Sequence, residues 1–194
     1  MCDRENETVS HIVSECTQLA QNEYKKCRHD KIAAIIHWHL CKKFGFSCCG
    51  KSYEHFVEKE TRILENEDVK ILWDFLIQTE REIEHNKPDV VLLDKSKKVC
   101  FVLDVACPFD TRVIKKEKEK IEFYTDLKYE ILKCWKQEAE KVVILPLVIG
   151  ALGTVTGNVR RNLEKLGINL SVDVLQKTCL LGTARIIRKV LDIQ

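Results

Sequence analysis

Two aspartates at a fixed separation are the residues whose types and spacing suit chemistry best. Lys87-Pro88-Asp89 opens a short apolar run, Val90 to Leu93, that reads as a buried strand, and Val99 to Ala106 (VCFVLDVA) reads as a second. The stretch Asp94-Lys95-Ser96-Lys97-Lys98 between them has turn composition. Pairing Asp94 with Val99 across a four-residue loop makes an antiparallel hairpin in which Asp89 faces Asp104. Directly opposed residues have Cβ atoms ~5 Å apart, and like charges there repel. Asp104 also interrupts an apolar strand, where an unpaired carboxylate is costly to bury. A hard divalent cation bound through oxygen, Mg²⁺ or Mn²⁺, relieves both penalties and is the chemistry this spacing favours. The competing reading has one aspartate ending a strand and the other accepting hydrogen bonds from a neighbouring helix.

The element that must complete such a site is the helix expected from near Asp110 or Thr111, either of which can cap it, to about Gln137. Its core stripe runs Val113/Ile114, Ile121, Tyr124, Leu127, Ile131, Trp135 at helical spacing. Glu117 and Lys120 fall in a gap of that stripe and point toward the sheet. A lysine beside two metal-bound carboxylates orients an attacking water or offsets charge on a pentacovalent phosphate. Tyr124, one turn beyond Lys120, is in reach of the ammonium, although a tyrosine there also serves as plain core. Lys115, Lys116, Lys118 and Lys128 read as a solvated face.

In this order, strand, Pro-Asp, hairpin, Asp and helix resemble the PD(D/E)xK restriction-like nuclease superfamily. The closer resemblance is to the endonuclease domain at the C-terminus of site-specific non-LTR retrotransposon polyproteins. It rests on Lys87-Pro88-Asp89 followed by fourteen residues and Asp104, with Arg28-His29-Asp30, Glu65 to Phe75 (ENEDVKILWDF), His85 to Asp89 (HNKPD), Asp104 to Val113 (DVACPFDTRV) and Val148 to Val155 (VIGALGTV). The resemblance implies an α/β fold with a restriction-endonuclease-like αβββαβ core, a mixed four-stranded sheet and additional C-terminal helices. It implies a Mg²⁺-dependent endodeoxyribonuclease that nicks a target strand by phosphodiester hydrolysis, the nick priming reverse transcription. Asp89, Asp104, Lys120 and Tyr124 would be the catalytic set, with Asp89 and Asp104 on the metal and Asp74, Glu67 or Glu117 as further acidic candidates. The superfamily's usual lysine, two residues after the second carboxylate, falls at Ala106, and in the retroelement branch Lys120 is the matching position. The alternative is a catalytically inactive nucleic-acid-binding or protein-interaction remnant of the same domain.

Length and charge set the remaining bounds. A chain of 194 residues allows one ordinary domain, and a net charge of +2 leaves any nucleic-acid footprint to local clustering. The candidate contacts to double-stranded DNA are Arg28, Lys87, Arg160, Arg161, Arg185 and Arg188, with solvated surface as the competing reading. Element RNA and a reverse transcriptase are partners that the resemblance adds for a full-length polyprotein. The polar start MCDRENETVS lacks the apolar core of a signal peptide. The longest apolar run, Val142 to Leu152, contains a proline and falls short of a membrane span. Ten scattered cysteines point to a reducing compartment, hence an intracellular and, by the resemblance, nuclear setting.

Cys2, His11 and Cys16 form three quarters of a zinc knuckle, so residues 1–16 read as a truncated knuckle-like segment before a nuclease domain at 17–194. Three Cys/His residues without a fourth are commonly no metal site at all. A long amphipathic helix is expected from about Thr17 to Phe44, with Arg28, Lys25, Lys26 and Lys31 on its outer side. At most one of His37 and His39 points inward, since residues two apart on a helix face different ways. Gly45 to Asn66 reads as a loop-rich connector, Lys70 to Thr79 as a strand, and Cys48-Cys49 as a turn with no assigned role. Helices are expected over Val155 to Leu166 and Val172 to Leu191, the latter with a kink at Gly182.

Overall fold

Near-continuous apolar runs, the pattern expected of strands buried on both faces, form the centre of the molecule. In the computed structural model, which describes residues 8–57, 62–136 and 138–192, the strands are β1 (Ile63–Glu65), β2 (Val69–Trp73), β3 (Val90–Asp94), β4 (Val99–Ala106) and β5 (Lys141–Val148). They form one mixed sheet in the order β1-β2-β3-β4-β5, antiparallel throughout except for the parallel pair β4–β5. The fold is α/β, with five strands in the sheet instead of four. The extra strand comes from the segment read as a connector, where Asn66 Oδ1 accepts from the amides of Asp68 and Val69 and closes a tight β1–β2 hairpin. β1 spans only three residues with both ends exposed, so it leaves no hydrophobic alternation to read. β2 stops at Trp73, because Asp74 takes a positive φ and its amide donates to the Asp89 carbonyl.

Side-chain parity sorts the core into two layers. Val69, Ile71, Val90, Leu92, Leu103 and Val105 face α1 (Asp30–Lys43), and the helices that follow β5 pack into the same cluster. Leu72, Val91, Leu93, Cys100 and Val102 face Tyr124, Leu127 and Ile131. The residues after β4 enter a 3₁₀ turn, Asp110–Arg112, then α2 (Val113–Phe123) and α3 (Thr125–Cys134), broken at Tyr124. Asp110 caps neither helix: its carboxylate accepts the amides of Leu152 and Thr154 and so pins the turn after β5. Ile114 and Ile121, expected in the core stripe, are exposed, because the inward face of α2 is carried by Val113, Glu117 and the approach to Tyr124.

α4 (Gly157–Leu166) is capped by Thr156, whose side chain accepts from the Asn158 amide, and ends at Gly167 in a left-handed conformation. α5 (Val172–Val190) runs unbroken through Gly182. That glycine serves close approach and not a kink. A Cβ there would lie 2.4 Å from the Cys27 carbonyl oxygen and 2.5 Å from Arg28 Cγ, so α5 can press directly onto the wide-turned π-helical stretch Ala20–His29 that leads into α1. Among the described residues no helix is long and apolar enough to cross a membrane.

Gly182→Ala should therefore cost about 1–3 kcal/mol as backbone is forced apart. Gly157→Ala, with nothing within 4 Å of the added methyl, should leave the urea midpoint unchanged or raise it. Equal midpoints for the two variants would contradict the packing.

Candidate active site at the end of the sheet

The β3–β4 hairpin adopts the register expected from its turn, with Asp94 opposite Val99 and Val90 opposite Leu103. One step further along the same ladder, Asp89 stands opposite Asp104. The two residues share the sheet face covered by α2 and α3, yet their surroundings differ.

Asp104 is the closed half. It is 3% exposed; its Oδ1 accepts the Tyr124 hydroxyl at 2.6 Å, and Lys120 Nζ lies 2.6 Å from its Oδ2. The Lys120 ammonium holds Oδ2 in a buried, charge-assisted ion pair. Burial pushes the Asp104 carboxyl pKa up and the Asp89 charge adds to that, while Lys120 and Tyr124 oppose it. Burial and the adjacent carboxylate also push the Tyr124 phenol up, which keeps its proton available for donation. Lys120 and Tyr124 are one turn apart, so α2 delivers both to one carboxylate.

Asp89 is the open half. Its Oδ2 accepts the Val105 amide at 2.7 Å and lies 3.1 Å from His29 Nε2. The other ring nitrogen of His29 is 2.9 Å from Asp30 Oδ1, which Lys25 also approaches. Burial works against protonation of His29, but Asp30 and Asp89 outweigh it and hold the pKa up at about 9. The imidazolium therefore sits on Asp89 as a counter-ion. The sequence marks Arg28-His29-Asp30 as a motif but gives His29 no role, because the contact joins segments sixty residues apart in the chain.

Asp89, His29 and Asp74 line a cleft of about 450 Å³ whose rim carries Lys25, Lys26, Lys31 and Arg62. Asp74 is paired with Lys87 Nζ at 2.8 Å and more loosely with Arg62, so Lys87 is tied to a carboxylate at the cleft. Glu117 is not brought to the aspartate pair, since its two oxygens accept from Thr156 Oγ1 and Asn158 Nδ2 and tie α2 to the start of α4. Glu67 sits in the β1–β2 turn, beside the Asp94 end of β3 and a full strand away from Asp89.

Arg28 corrects an expectation. It is fully buried instead of facing outward, stacked over the Tyr24 ring and donating from Nη1 to Thr183 Oγ1, because Gly182 brings α5 onto its stem. It has no access to a phosphate. Arg160, Arg161, Arg185 and Arg188 are exposed but do not line the Asp89 cleft, and Arg161 is engaged by Asn158. The lysines expected on the outer side of the first helix supply the cleft's positive rim.

Of the knuckle residues, Cys2 lies outside the described residues. His11 and Cys16 are buried, and the Tyr24 hydroxyl bonds to the His11 carbonyl and the Cys16 amide. A separate set of metal-ligating groups, His37, Cys41 and His55, brings its donor atoms within 4.8 Å of one another. The helical spacing His37-x3-Cys41 is the sequence signal for it; the contribution of His55, across a loop, leaves none.

The raised His29 pKa has a defined consequence in metal-free protein. Its contribution to stability is complete below the ordinary value of 6.5 and is lost as pH rises through about 9. That contribution is about 1.4 kcal/mol for each tenfold gain in proton affinity on folding. Urea midpoints should fall across that window in the parent and stay flatter in His29→Ala. Identical pH profiles would remove the His29–Asp89 pair from consideration.

No model of a known protein family matches the chain, and neither does any curated protein sequence.

Proposed function

We propose that the chain is a metal-dependent DNA endonuclease that nicks one strand by phosphodiester hydrolysis, and that it derives from the endonuclease domain of a non-LTR retrotransposon polyprotein. The observation that carries this reading is the convergence of Asp89, Asp104 and Lys120 at one end of the β3–β4 pair. The chain order supports a restriction-like αβββαβ core: α1, the antiparallel β2–β3–β4 meander, α2 and α3, then β5 parallel to β4.

The donor set fits Mg²⁺ or Mn²⁺. It is anionic and all oxygen, with the Asp104 carboxylate buried and its pKa pushed up by burial and by the charge of Asp89, a charge that a divalent cation would offset. Asp89 and Asp104 would hold the ion, which when bound polarises a phosphoryl oxygen and lowers the pKa of its water. Tyr124 fixes the orientation of Asp104 by donating into Oδ1, while Lys120 pairs with Oδ2. The Lys120 ammonium, beside that oxygen, offsets charge accumulating on the phosphate. Lys25, Lys26, Lys31 and Arg62 give the cleft a positive rim for the backbone of double-stranded DNA, a contact that weakens with salt. Element RNA and a reverse transcriptase are further partners, in a nuclear setting, if the chain acts as part of a larger polyprotein.

One observation favours the second reading, a nucleic-acid-binding remnant without catalysis. His29 and Lys120 each pair with one of the two carboxylates and offset its charge from within the chain. The two readings separate in a plasmid assay. Supercoiled DNA with Mg²⁺ or Mn²⁺ should be converted to open circles by the parent chain and not by Asp104→Ala, and Lys120→Ala should be slower by about 100-fold or more. An inactive parent that still shifts DNA in a gel, unaffected by either substitution, would establish the remnant instead.

A further inference from the structure

A second cation site is built where α1 meets the loop leading to β1. His37 and Cys41 lie one turn apart on the buried side of α1, at 1% and 0% exposure. The chain then leaves the helix and passes Cys48 and Cys49. Through the short 3₁₀ turn Ser52–Glu54 it returns His55 onto His37. His37 Nδ1 and His55 Nε2 are 2.8 Å apart, and Cys41 Sγ is 3.5 Å from His37 Nδ1. The two imidazoles stack, and Trp73 closes the His37 ring from its edge.

This grouping has the chemistry of a zinc site. Around a tetrahedral Zn²⁺ with Zn–N ~2.0 Å and Zn–S ~2.3 Å, ligand atoms stand roughly 3.3–3.6 Å apart. The His37–Cys41 separation of 3.5 Å falls within that span and the His37–His55 separation of 2.8 Å below it, with all three donor atoms within 4.8 Å, so the two imidazoles must part to admit the ion. Two nitrogens and a sulfur select zinc over the hard cations suited to the aspartate pair. Burial and the neighbouring His55 bring the His37 pKa down to about 3, leaving a neutral ring with a lone pair to give. A fourth ligand, a second thiol, is close at hand. Cys49 Sγ is 3.8 Å from His55 Nδ1, and the Cys49 carbonyl is held by the Trp38 indole; burial, with Cys48 adding to it, pushes the Cys41 thiol up to about 12 in the metal-free protein.

We infer that His37, Cys41 and His55 bind a structural Zn²⁺, with one thiolate of the Cys48–Cys49 turn as the fourth ligand. On binding, each coordinating thiol gives its proton to solvent and forms a sulfur–zinc bond. The ion fastens the loop carrying His55 to α1, and through Trp73 it abuts the end of β2, on the wall of the Asp89 cleft. The site is independent of the nuclease reading.

The test uses the full chain, equilibrated with zinc and dialysed, with metal content read by mass spectrometry and the Co²⁺-substituted form read by absorption. About one Zn²⁺ per chain is expected, falling to less than about a tenth in Cys41→Ser and His55→Gln. Cys2→Ser and Cys16→Ser should retain it, which separates this site from the knuckle residues. Of Cys48→Ser and Cys49→Ser, one should lower zinc affinity and thereby name the fourth ligand. Should Cys41→Ser fail to fold, the parent's Co²⁺ spectrum still decides, since tetrahedral thiolate ligation gives intense visible bands and a sulfur-to-metal charge-transfer band. A parent that takes up no zinc, a Co²⁺ spectrum without thiolate bands, or zinc lost in Cys2→Ser but kept in Cys41→Ser and His55→Gln would overturn the assignment.

Discussion

The repulsion between Asp89 and Asp104 is the constraint around which the end of the sheet is arranged. A hairpin that sets two carboxylates opposite each other, one of them buried, is stable only when positive charge is delivered from outside the hairpin. Two elements deliver it from opposite sides. α2 brings Lys120 and Tyr124 over Asp104, while the helical stretch ending at His29 brings an imidazolium to Asp89. Neither source is local in sequence, so the pair of aspartates dictates how the helices on both faces dock.

That docking depends on contacts far from the carboxylates. His29 reaches Asp89 because the Ala20–His29 stretch is held from behind by α5, where Gly182 removes the side chain that would keep the two apart. Lys120 reaches Asp104 because α2 is anchored at its start and its middle. Asp110 pins its approach to the turn after β5, and Glu117 ties its middle to the start of α4. Glu117 sits buried on the same inward face as Lys120, yet it works for packing while its neighbour works on the site.

The parts of this arrangement that follow a local period were legible in the sequence. The β3–β4 hairpin, its register and the inward direction of Glu117 and Lys120 follow from strand alternation, turn composition and helical spacing. What could not be read were the features fixed by long-range packing. Arg28 carries a side chain that is almost always solvated, and only the approach of α5 buries it. β1 exists because Asn66 closes a turn, with too few residues to carry a pattern. His29 and His55 each act across a loop, where spacing along the chain says nothing about distance in space.

The position of the lysine follows from the same packing. Ala106 shares the sheet face of Asp104, two residues along β4, and is nearly buried against Val113 and Val148. A lysine stem there would have to displace the first turn of α2 from the sheet. With the first turn of α2 seated on Ala106, the next two turns run back along the strand toward Asp104, and the side chain that arrives over that carboxylate is Lys120. The small residue in the strand and the charged residue on the helix are thus two sides of one solution. Docking the helix onto the strand removes room for a lysine on the sheet and supplies one from above.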